Sequence, residues 1–300
     1  MNAPTPLARL DPADAQLYAK VEYLHPSGSM KHRSIPPFLD SLMAGGELRP
    51  GQRIAVRSAG SAAVSLAWSA ARIGCGAIAV VPPGVPPNTL RMLRWLGAEC
   101  HRLPPREATE LMTELRSGTD TYVLEQAGEP GLIDHYRSVA VEILDEMPDT
   151  VAIVVGIGTG LSITGIAREV RDRGSSCRVF GVEPSEAAIA SGRPWAPHHI
   201  PGLAPPIAQP LLEHALLTGI VTVSSEEAWR QAREAARRSG LLLGPSSGAT
   251  VVAAWKLRER RVRGPVVSIC ACSINDYLEG APEPVSPPPA ADAAMAGGHG

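Results

Sequence analysis

Short, wholly apolar runs separated by helix-length segments constrain this chain more than any other feature. Ala77–Val81 and Val151–Val155 carry no polar residue. Runs of that kind belong to strands buried on both faces of a parallel sheet. Further strands are predicted at 53–57, near 100–103, and at 121–124, 179–182, 220–223 and 266–270. Helices are predicted at 37–47, 64–72, 88–96, 106–116, around 134–146, up to Val170, after Ser224 and after Gly248. The alternation means an α/β fold with one mostly parallel sheet or two, joined by right-handed crossovers.

The chain has 300 residues, room for one large domain or two ordinary ones, and its 44% apolar content supports a full core. A net charge of −2 gives no electrostatic case for nucleic acid or an anionic membrane surface. No apolar run approaches the roughly 18 residues of a transmembrane helix, and the first residues do not read as a signal peptide. Five cysteines without framework spacing suit a reducing cytoplasm. Cys270 and Cys272 are too close for common zinc spacings and read as two buried strand thiols; no metal site is expected. From about 281 the chain is rich in Pro, Ala and Gly and is expected to be a disordered tail.

Four segments carry chemistry. Lys20–Arg33 reads as a strand broken at His25-Pro26-Ser27-Gly28, then a helix with Ser29 as N-cap and Lys31 in its first turn. A cation there opposes the helix dipole, so the position favours a neutral lysine or one held covalently, unless Lys31 is simply a surface residue. Gly158-Thr159-Gly160-Leu161-Ser162 joins an apolar strand to a helix. It suits a phosphate, or it is a tight turn with no ligand. Ser58–Ala63 opens a helix with small residues, which suits a carboxylate or phosphate, or close packing on the sheet. A serine of Gly244–Thr250 either caps the last helix or points a hydroxyl at a ligand. Together these are the parts needed to hold pyridoxal phosphate and an amino acid.

In those residues the sequence resembles the cysteine synthase / cystathionine β-synthase family of fold-type II pyridoxal-phosphate enzymes, from Thr5 to about Leu278. Lys20–Arg33 is similar to K-x-E-x-x-N-P-x-G-S-x-K-D-R, which maps the Schiff-base lysine onto Lys31. Residues 158–162 resemble the G-T-G-G-T phosphate cup, and Gly244–Ala249 resembles G-I-S-S-G-A, whose first serine faces the pyridine nitrogen and is here Ser246. Leu124–Gln126 with Pro130 and His135 looks like Q-F-x-N-P…H, whose substrate-side glutamine is here Gln126. Val182–Pro184 and 197–203 match G-V-E-P and H-K-I-Q-G-I in order.

The resemblance implies two open, mostly parallel twisted sheets with flanking helices, as in tryptophan synthase β. It implies a larger cofactor-binding domain (1–37 and 151–280), a smaller mobile substrate-side domain (38–150) and a homodimer. Cofactor contacts fall on Lys31, Ser61, Gly158, Thr159, Gly160, Ser162 and Ser246, and substrate contacts on Ser58, Ala59, Gly60, Ala62 and Gln126. The implied reaction is β-replacement on an activated serine through an aminoacrylate, with β-elimination or a weakened pseudoenzyme as the alternatives. The family pattern is broken at His32 (aspartate), Ser61 (asparagine), Ala59 and Ala62 (hydroxyl residues), Leu161 (glycine) and Ser273–Tyr277 (S-G-E-R-Y).

Overall fold

The computed structural model describes residues 3–11 and 14–280, so the expected tail lies outside the described residues. The first half runs β1 (Leu7–Asp11), β2 (Asp14–Val21), α1 (Ile35–Gly45), β3 (Arg53–Arg57), α2 (Ser61–Ile73), β4 (Gly76–Val81), α3 (Pro87–Trp95), β5 (Glu99–Arg102), α4 (Pro105–Ser117) and β6 (Thr121–Leu124). The second runs α5 (Arg137–Glu146), β7 (Ala152–Gly156), α6 (Leu161–Asp172), β8 (Arg178–Pro184), β9 (Gly219–Val223), α7 (Ser225–Ser239), α8 (Pro245–Glu259) and β10 (Val266–Cys270).

Two sheets form. The larger has the order β1-β2-β10-β7-β8-β9 and the smaller β5-β4-β3-β6. Every pairing is parallel except β1 with β2. β10 comes last in sequence and lies between β2 and β7, with all five of its residues buried. One apolar cluster runs through both sheets, joining Ile54 and Val56 of β3 to Ile153 and Val155 of β7.

Several elements differ from expectation for local reasons. The antiparallel β1–β2 hairpin is absent from the sequence reading, which begins the strand at Lys20 and carries it to Leu24. β2 ends at Val21, and Glu22–Leu24 is a 3₁₀ turn that carries the Glu22 side chain inward. The helix expected after Ser29 is only the 3₁₀ turn Met30–Arg33; Ser29 caps it, its hydroxyl accepting from Lys31 N at 3.3 Å. α1 begins at Ile35 rather than 37, since Pro36 and Pro37 fit the first turn, where no amide is required. α7 opens with a full capping box between Ser224 and Glu227.

Beneath that 3₁₀ turn lies a buried ionic cluster. Arg33 donates to Glu22 from Nε and Nη2 at 2.8 Å each and to Glu142 Oε2 of α5 from Nη2 at 2.7 Å. Lys20 Nζ meets Glu142 Oε2 at 2.6 Å, and Thr5 Oγ1 donates to Glu22 at 2.6 Å. Burial alone would raise the Glu22 carboxyl, but hydrogen bonds from Arg33, His25 and Thr5 outweigh it and hold it at about 2. A carboxylate lowered from 4.5 contributes stability that is full above that pH and lost as pH falls toward about 2. Glu22→Gln should therefore flatten the acid limb of a stability–pH curve in that window. Arg33→Met leaves two buried carboxylates without their shared cation and should cost about 3–5 kcal/mol in urea unfolding; a loss under about 1 kcal/mol would show the cluster to be dispensable.

Candidate active site

A cavity opens at the carboxyl ends of β2, β7 and β10, where ligands of open α/β sheets bind. The first turns of three helices contribute to its wall through Ser61 of α2, Ser162 of α6 and Ser246 of α8. Lys31 lines the same cavity and is the one charged side chain among the described residues that do so. Burial alone lowers its ammonium to about 8. A sizeable neutral fraction is therefore present in mildly alkaline solution, as an amine that bonds covalently to a carbonyl requires.

The turn that carries Lys31 is fixed on every side. Met30 N donates to Ala271 O at 3.0 Å, and Ser29 bridges Cys272 across the end of β10. His32 stacks on His25 at 5.2 Å and meets Trp68 of α2 edge-on at 4.7 Å, while its Nδ1 lies 3.0 Å from Ser27 Oγ. Burial, then the neighbouring His25 and Arg33, lowers His32 to about 4. The ring thus fills the position of the family's aspartate as a neutral wedge between the Lys31 turn and α2.

The expected phosphate cup sits between β7 and α6. A Cβ on Gly158 would come within 2.6 Å of Gly202 O, and Gly160 holds φ +89°, where a side chain is strained. Gly158, Thr159 and Ser162 face the cavity, whereas Gly160 shapes the turn without lining it. Leu161, which replaces a glycine of the family pattern, points away into the core and is 1% exposed. That replacement leaves the cup's lining unchanged.

Ser246 and Ser61 also face the cavity. Ser246 does not cap its helix; its Oγ lies 2.9 Å from Cys272 Sγ. The other expected substrate residues stand off. Ser58, Ala59, Gly60 and Gln126 do not line the cavity, and Ala62 is buried in the core beneath α2. Sequence reasoning missed Ser29, Tyr136, Cys272 and Tyr277, which do line it. Cys272 was expected as a strand thiol, but β10 ends at Cys270 and Cys272 turns its sulfur toward Ser246. The repeat of Cys at 270 and 272 hid that change of environment, and nothing in the sequence singles out Tyr136.

The same fold and a related sequence recur in known proteins. The sequence profile described as pyridoxal-phosphate dependent enzyme matches residues 1–271. Cysteine synthase 3 of Caenorhabditis elegans is 32% identical over 277 residues, 89% of this chain and 81% of that protein. The cysteine synthase of Helicobacter pylori (strain ATCC 700392 / 26695) is 32% identical over 85% of this chain and 86% of its own. The crystal structure of O-ureido-L-serine synthase superposes with a TM-score of 0.88 at 27% identity, covering 94% of this chain and 95% of that one.

Two substitutions check the geometry. Leu161→Ala should cost about 2–5 kcal/mol in denaturant unfolding, as a core residue does. Gly158→Ala should leave the fold cooperative but weaken cofactor binding, read by titration of the cofactor's absorbance; unchanged affinity would place the phosphate elsewhere.

Proposed function

The chain belongs to the pyridoxal-phosphate-dependent enzymes, and we propose that it replaces the β-substituent of an O-activated serine, of the O-acetylserine or O-phosphoserine type, to give cysteine or a related β-substituted alanine. It is an enzyme of the cysteine synthase type, and its cofactor is pyridoxal 5′-phosphate. One observation carries the assignment of the site: Lys31 opens onto the same cavity as Gly158, Thr159, Ser162 and Ser246. The residues present fit the group. They offer a buried amine of lowered basicity, a glycine-shaped turn at a helix N-terminus and a neutral hydroxyl across the cavity.

When bound, the cofactor supplies an electron sink conjugated to the substrate's Cα. Thr159, Ser162 and the first amides of α6, with the turn at Gly158 and Gly160, would hold its phosphate. Ser246 would face the ring nitrogen. A hydroxyl does not force a proton onto that atom as a carboxylate would, which favours elimination over transamination. Lys31 would anchor the cofactor, and its Nζ, when free and uncharged, would take the Cα proton of the substrate. Ser61 takes the ring-oxygen position. The amides of Ala59, Ser61 and Ala62, at the start of α2, would hold the substrate carboxylate, since those of Ser58 and Gly60 already donate to Val80 O and Ser58 Oγ, and Gln126 would approach from the small-sheet side.

Residues 38–150 act as the smaller, mobile domain against 1–37 and 151–280. Support for this comes from the strands of 53–124, which make a sheet of their own. The enzyme works as a homodimer in the cytoplasm, a reading supported by exposed apolar side chains such as Leu24, Trp95 and Leu242 and by five free cysteines. No helix among the described residues is long and apolar enough to cross a membrane.

Lys31→Ala should lose the cofactor's visible absorbance band and all turnover of O-acetylserine with sulfide, while keeping its fold. Retention of the band would sink the assignment of Lys31. With the wild type, accumulation of a β-substituted alanine supports replacement, and pyruvate without it marks elimination instead.

A further inference from the structure

Four uncharged side chains, Ser61, Tyr277, Cys272 and Ser246, share the lining of the cavity. Tyr277 lies beyond β10, where burial raises its phenol. The Cys272 sulfur lies 2.9 Å from Ser246 Oγ and 3.6 Å from Ser247 Oγ. Cys272 is also the most firmly held of the four. Its carbonyl accepts from Ser247 Oγ at 2.8 Å and from Gly244 N at 3.0 Å, and its amide donates to Ser247 Oγ at 3.1 Å. It pairs with Ser29, whose hydroxyl caps the turn of Lys31. Gly244 is obligatory beside it, since a Cβ there would stand 2.5 Å from the sulfur.

We propose that Cys272 is a positioning residue for the cofactor ring. Its thiol proton is given to Ser246 Oγ, so that the hydroxyl proton of Ser246 is left free to point into the cavity at the ring nitrogen. The inference rests on the reading that this cavity holds the cofactor at Lys31. The contact fits either direction by distance, and the cofactor selects one: a serine has a single hydroxyl proton, and when that proton is directed at the ring nitrogen the thiol is the donor left for Ser246 Oγ. Burial raises the Cys272 thiol, so it keeps the proton that it donates. Cys272 then donates to Ser246, and that bond polarises the Ser246 hydroxyl. The pair completes the ring-nitrogen end of the site without placing any charge there. Through its backbone, Cys272 also fixes Ser246 relative to Lys31, the two ends of the ring.

The test uses the full chain loaded with pyridoxal 5′-phosphate. Cys272→Ala removes the donor and should weaken cofactor binding about five-fold, the worth of one net hydrogen bond. It should also displace the pH midpoint of the cofactor's absorbance. Cys272→Ser restores a donor of nearly the same shape and should recover both. An alanine variant with unchanged affinity and pH profile, or a serine variant as impaired as alanine, overturns the proposal.

A measurement on the wild type stands independently of whether the variants fold. In the infrared spectrum, one S–H stretching band should move to lower frequency on loading the cofactor, as the Ser246 proton turns to the ring and the Cys272 thiol donates more strongly to Ser246 Oγ. S–H bands identical with and without cofactor overturn the proposal. Borohydride reduction separates the two levels of inference. If the cofactor's mass does not appear on Lys31, the site assignment itself fails; if it does and Cys272→Ala behaves as wild type, only the role of Cys272 fails.

Discussion

The structure depends first on four charges that cancel one another, three of them fully buried. Lys20 leaves β2 side by side with Glu22, Arg33 closes the turn that bears Lys31, and the partly exposed Glu142 reaches in from α5. Burying such ions is expensive, and only near-ideal geometry recovers the cost. Arg33 supplies it, with two donors on Glu22 and others on Glu142, each carboxylate finding a second partner in Thr5 or Lys20. Because no member can move without stranding another, the turn above has one position, and Lys31 is delivered to the cavity by a rigid base.

Above that base the site follows the opposite policy. Apart from Lys31, the polar groups lining the cavity are neutral hydroxyls, a thiol and the backbone. No second cation among the described residues competes with Lys31 there, and Lys31 has no carboxylate in the cavity to hold its proton. The lowered basicity of that lysine is a direct effect of burial with no ion pair. Charge is thus concentrated where it builds the frame and withheld where the chemistry needs an uncharged amine.

How much of this could be read in the sequence varies with the range of the interaction responsible. The buried strands β4 and β7 were legible because a parallel strand covered on both faces writes an unbroken apolar run. Lys31, the cup and Ser246 were legible because their spacing is local to one turn each. β1 and the part of β2 before Lys20 were not, since Asp14–Ala19 writes no unbroken apolar run and the strand that β2 joins in parallel, β10, begins only at Val266. Cys272 and Tyr136 were hidden for the same reason, their surroundings being supplied by distant segments. Leu161 was a departure in the alphabet only: side chains on either side of a helix start face different ways, and that one faces the core.

The position of β10 has a consequence for how the protein comes into being. The strand that separates β2 from β7 is the last of the ten to be synthesised. Until it emerges, the larger sheet has a gap at its centre, Ala271 is not there to anchor the Lys31 turn, and Cys272 is not there to meet Ser246. A nascent chain can complete the smaller sheet early, since its strands lie close together in sequence, but it cannot offer a finished cofactor site until β10 and the residues after it have left the ribosome. Long-range closure of this kind is slow, and it ties the acquisition of the cofactor to the arrival of β10.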